Sequence, residues 1–169
     1  MILSARPAQA GGPLGEEIMT DTPVDARRLL IPALAPLYEA VTPLGYSFMR
    51  AVFGIMLMMP HGYEKLFLGK PPVQRMVALH LPYPEVWAYW IGSLEFFGGA
   101  LLALGLFTRI VAAMFTVEMA VISFLVLWPV YGFANHGYEY ALMMGIFALG
   151  FACGGGGRYS LDRLIGREF

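Results

Sequence analysis

Three ionisable side chains stand inside stretches that are otherwise apolar: Arg50 in LGYSFMRAVFGIMLMMP, Glu95 in VWAYWIGSLEFFGGALLALGL and Glu118 in RIVAAMFTVEMAVISFLVLW. A charge at the centre of a membrane-spanning helix costs about 2.5–3.5 kcal/mol on insertion scales, so each of the three needs a partner or a task. With a helical rise of about 1.5 Å per residue, Arg50 falls roughly 9 Å into its run, and Glu95 and Glu118 roughly 13–14 Å into theirs. On that count all three share one level near the middle of the hydrocarbon and form a polar cluster on the bundle axis. Arg50 stays protonated in any protein setting and neutralises one carboxylate. The other carboxyl is left to hold a proton, donate it in a hydrogen bond or relay it. That chemistry suits a proton site or a quinone-headgroup site, with Arg50, Glu95 and Glu118 as the catalytic candidates. The plainer reading is packing: an Arg–Glu bridge pins the first two helices, and Glu118 bonds Ser123, Thr116 or a backbone carbonyl.

A second group gathers at the ends of the runs. His61, Glu64 and Lys65 follow the first, and His136 and Glu139 open the last. His61, Lys65, His136 and Glu139 form a candidate cofactor-binding group at the outer mouth, because histidine titrates near neutral pH and ligates metals. A two-histidine haem fits loosely, since neither histidine lies within a helix beside a cleft of small residues. Copper at Met56, Met59 and His61 competes with methionine's ordinary use as a filler of apolar gaps. No metal site is expected. The single cysteine, Cys153, excludes an internal disulfide, a CxxC pair and a Cys-based zinc or iron–sulfur site within one chain.

The elements that must position these groups follow from composition. Of 169 residues, 58% are hydrophobic and 14% charged, with a mean hydropathy of +0.63. Too few charges remain to coat a water-facing surface, which excludes a free cytosolic enzyme. The net charge of −1, without a basic block, makes nucleic acid an unsuitable partner. Residues 1–25 lack the apolar core of a signal peptide and read as a disordered leader. Residues 26–43, punctuated by Pro32, Pro36 and Pro43, read as an amphipathic segment lying in the membrane interface. Four spans are expected at about 44–60, 86–106, 109–128 and 137–153, each near the length that crosses a bilayer. The fold class is therefore an all-α membrane protein: a four-helix antiparallel transmembrane bundle with an N-terminal interfacial helix. The loop at 61–85 reads as a lid on the outer mouth. Residues 154–169 form a cytoplasmic tail in which Ser160 caps a short helix. Arg27, Arg28, Arg109, Arg158, Arg163 and Arg167 fall on one side and Lys65, Lys70 and Arg75 on the other, so both termini are expected inside. Gly92 and Gly99 share the face of Glu95, which turns that acid toward a helix contact and away from lipid.

These residues resemble the DoxX family of inner-membrane proteins. The resemblance rests on Arg50 in the first span, the HG..KLF motif (His61, Gly62, Lys65, Leu66, Phe67), E..GG (Glu95, Gly98, Gly99) and GL.TR (Gly105, Leu106, Thr108, Arg109). It continues through Gly137, Tyr138 and Glu139 to the terminal G.G.YSLD (Gly155, Gly157, Tyr159, Ser160, Asp162), and so covers roughly 29–165. The run of four glycines stands where a GPG-like turn is expected. The resemblance implies a four-helix protein of the bacterial inner (cytoplasmic) membrane, associated with quinone-linked redox systems. The sequence carries no flavin, haem or iron–sulfur motif of its own. The expected role is thus a membrane subunit, in contact with quinone, of a redox complex or homo-oligomer whose partner holds the redox centre. The alternative is a non-catalytic anchor or assembly subunit. A small transporter is a third reading, weakened by the lack of a visible inverted repeat.

Overall fold

The computed structural model describes residues 25–167, so the expected leader lies almost wholly outside the described residues. Among them every regular element is helical. Helix α1 runs Pro32–Phe67, α2 Val73–Ala78, α3 Pro84–Leu104, α4 Thr108–Val126, α5 Glu139–Gly154 and α6 Leu161–Ile165. Helices α1, α3 and α4 are long and apolar enough to cross a membrane, whereas α5 is apolar but shorter, at 16 residues.

Helix α1 departs from the sequence reading at both ends. The expected break at Pro43 is absent: Pro43 is buried within a helix that is already α-helical from Ala35. The interfacial segment is therefore the first part of α1, which opens with a 3₁₀ turn at Pro32–Leu34 and is preceded by another at Ala26–Arg28. Pro60 does not end the helix either. It sits in a π-helical stretch, Met58–Tyr63, and the chain stays helical through Phe67. A proline lacks the N–H that an α-turn needs at that point, and a π-turn absorbs one extra residue while the helix continues. Two further π-helical stretches lie in α3, at Leu94–Gly98, and at the end of α4, at Ile122–Val126.

The helices pack chiefly as two pairs, α1 with α3 and α4 with α5. Glycine makes the first pair close. A Cβ on Gly54 would lie 2.4 Å from the Gly99 carbonyl oxygen, and one on Gly62 would lie 2.3 Å from the Phe96 nitrogen. In lipid, where burial from water gives helices little reason to associate, such close backbone approach is what holds them. Phe53, Leu57, Leu102, Val111, Phe115, Met119, Met144 and Phe151 fill the core between the pairs. Large apolar side chains such as Phe48, Val117 and Leu125 face outward, as expected of a surface in contact with lipid. Helix α2 packs on α3 with Met76 buried, consistent with a cap over that end of the bundle.

Candidate functional site

The structure divides the expected cluster. Arg50 is buried, but its partners are the carbonyls at the end of α3: Leu102, at a very short contact, and Ala103 at 3.0 Å. Its other terminal nitrogen donates to the Tyr159 carbonyl at 2.8 Å. Helix ends present unpaired carbonyls and a partial negative charge, which a guanidinium satisfies. Asp162 does the converse at the start of α4, accepting from the Phe107 N–H at 2.8 Å and the Thr108 N–H at 3.0 Å. Its own N–H donates to the Gly105 carbonyl at 2.9 Å. Gly105, at φ +72°, ends α3 in a Schellman turn, with Leu106 N–H bonded to Leu101 O at 2.9 Å. A side chain there would meet the Arg50 guanidinium at 2.5 Å. Ser160 caps α6 as expected, accepting from Arg163 N–H at 3.2 Å. Tyr46 donates to Gly155 O at 2.8 Å, and Arg109 to Cys153 O at 2.6 Å. Arg50, the GL.TR turn and the G.G.YSLD tail thus form one latch that ties the tail to the middle of α1 and to the ends of α3, α4 and α5.

Glu95 takes Lys65 instead of Arg50. It lies about two turns, roughly 10 Å, from Leu102 along α3, beyond the reach of a group bonded there. The Lys65 Nζ–Glu95 Oε1 contact is a very short ion pair, with the side chains 20% and 3% exposed. Glu118 is also buried and lies close enough to Glu95 and Lys65 to feel both charges. Its carboxyl lies within hydrogen-bonding reach of that of Glu95, so that the two can share a proton, and no other side chain or backbone N–H donates to Glu118 or to Glu95 Oε2 among the described residues. Ser123 and Thr116, expected partners of Glu118, bond instead to the carbonyls one turn back in their own helix, at Met119 and Ala112. Gly62 lets α1 lie against the backbone at Glu95–Phe96, and Gly92 leaves room for the Lys65 stem, where a Cβ would be 3.1 Å from Lys65 Cβ. Each of the three residues also lies in or near a π-helical stretch, at 58–63, 94–98 and 122–126. Such irregular turns are frequent at functional sites. The role of Lys65 in this group was hidden in the sequence by the assumption that Pro60 ends the first helix. The spacing of Gly62 and Lys65 in HG..KLF was the available signal.

The outer-mouth group does not gather into one site. Lys65 belongs to the buried cluster. Glu139 accepts from Phe133 N–H at 3.0 Å and so closes the loop ahead of α5. His136, exposed and at φ 55°, turns that same loop, and Gly137 packs against the carbonyls of Val130 and Tyr131. His61 is half-buried on α1, whereas His136 is exposed in the loop ahead of α5. No group of three or more metal-ligating side chains is found among the described residues.

Long apolar helices and an outward apolar surface, with Arg50, Glu95 and Glu118 buried between the helices, define an integral membrane protein. Residues 45–128 match the DoxX family model. No curated protein matches the chain, and no solved structure does.

Proposed function

We propose that this protein is the membrane subunit of a quinone-linked redox system in the bacterial inner membrane. Both termini face the cytoplasm, and Lys65, Glu95 and Glu118 exchange protons that accompany quinone reduction. Glu118 carries the reading. A carboxyl more than nine-tenths buried, set against a second carboxyl and next to an ion pair, is costly to keep for packing alone. The cluster has two carboxyls and one ammonium, so charge balance leaves one carboxyl to be filled by a proton. A quinone, when bound, supplies a two-electron, two-proton couple. The side chains suit its headgroup in donor chemistry, since Lys65 donates and a protonated carboxyl donates. The groove between α4 and α5, about 150 Å³ and lined by Met119, Phe124, Leu142, Ile146 and Leu149 among others, is apolar. It suits a hydrocarbon tail, whereas the close-packed cluster suits a proton. Electrons come from a protein partner that holds the redox centre.

The anchor reading is favoured by the latch, where Arg50 and Asp162 are occupied by helix ends. One experiment separates the two. Purification in mild detergent with mass spectrometry of bound proteins and lipids is expected to recover quinone and a redox partner. Glu118→Gln is then expected to lower partner-coupled quinone reduction about a hundredfold, the scale of a lost acid–base group, with assembly intact. Normal turnover in that variant removes the proton role and leaves an anchor.

A further inference from the structure

We infer that the Lys65–Glu95–Glu118 cluster communicates with water from one side only, the side of the 68–83 loop, and that the Lys65 side chain is the gate. This rests on the cluster being a proton site, as proposed above, and adds its sidedness. Between the cluster and the Arg50 latch lies a dry layer: Leu57, Leu102 and Phe115 are at most 1% exposed, and Phe53 and Val111 at most 6%. All four principal helices contribute, with Phe151 from α5 closing against Phe53 at 5.4 Å between ring centroids. Phe115 and Val111 press on Gly98, where a Cβ would lie 3.2–3.3 Å from them. The side chains named here are all apolar and give a proton no group to hydrogen-bond.

The opposite direction differs. Lys65 is the most exposed member of the cluster, at 20% against 3% for Glu95. It lies two residues before α1 ends at Phe67. The preceding residue, Glu64, is half-buried and pairs at 3.6 Å with Lys70, an exposed residue of the loop. A lysine stem lying over Gly92 with its ammonium on Glu95 is a snorkelling side chain that has turned inward. Swinging its head outward toward the loop would uncover Glu95 and Glu118 without moving a helix.

Sided vesicles test this with single cysteines in a Cys153→Ser background and a charged, membrane-impermeant methanethiosulfonate. Lys70→Cys and Arg158→Cys mark the loop and tail faces. Lys65→Cys is expected to label from the loop face and to lose labelling when the reagent is confined to the tail face. Glu118→Cys is expected to label from the loop face once Lys65→Ala removes the gate. If Lys65→Cys alone fails to fold, Lys65→Cys with Glu95→Gln removes the orphaned charge and serves in its place. Labelling of residue 65 or 118 from the tail face, or of neither from either face, overturns the inference. Quinone content is not read in this assay, so failure of the redox reading and failure of one-sided access appear separately.

Discussion

The half-buried Lys65 is the partner of the buried Glu95, and removing it leaves that carboxylate without a compensating charge. Lys65→Met is expected to destabilise the protein by about 3–5 kcal/mol, the range for breaking a buried pair. Lys65→Met with Glu95→Gln should recover most of that loss, because no charge then remains uncompensated. Thermal unfolding in detergent of the two single variants and the double variant checks this. If the double variant is as unstable as the sum of the singles, the two groups are not a pair. Glu118 is expected to behave differently. A glutamine amide can donate to the Glu95 carboxylate as a protonated Glu118 does, so Glu118→Gln should leave the unfolding midpoint nearly unchanged while abolishing proton exchange at this position. Sequence alone identified Glu95 and Glu118 correctly as buried ionisable groups, since an acid within an apolar run has few alternatives. It gave Glu95 the wrong base. Two cations were candidates, and the choice depended on where α1 ends, which Pro60 disguised.

At the scale of elements, glycine decides how near α1 and α3 approach. Gly62→Ala places a methyl 2.3 Å from the Phe96 nitrogen, a backbone atom that cannot rotate away. It is expected to cost about 1–3 kcal/mol or more by overpacking and to separate Lys65 from Glu95. Gly45, whose Cβ would meet nothing within 4 Å, is the control and should tolerate alanine. The latch makes its own prediction. Asp162→Ala leaves the Phe107 and Thr108 N–H groups without their acceptor, at a cost of about 1–2 kcal/mol. The tail beyond Gly154 should then become protease-sensitive, as limited proteolysis in detergent would show. A tail as resistant as in the parent protein would mean that Asp162 does not hold it. The Ser160 cap was legible from its type and the helix after it. The capping roles of Arg50 and Asp162 were not, because both join segments far apart in the chain and depend on the Gly105 turn bringing them together.

For the whole molecule, the helical class and the strongly apolar spans were visible from hydropathy alone, because lipid imposes that pattern on any chain that crosses it. The span limits were less visible. Prolines usually punctuate helices, yet Pro43 and Pro60 are carried inside α1, and α5 is short beside its neighbours. The distribution of arginine predicts that a tag after residue 167 is protected in intact cells, whereas one in the 68–83 loop is exposed; the reverse pattern would invert the topology. The central claim, a buried carboxyl that holds an exchangeable proton, is tested most directly with dicyclohexylcarbodiimide. This apolar reagent attacks carboxylic acids within membranes and leaves an adduct that mass spectrometry locates. The account predicts an adduct on Glu118 in native membranes, absent in Glu118→Gln. Modification confined to the exposed Glu39 and the half-buried Glu64, with Glu118 untouched, would contradict it.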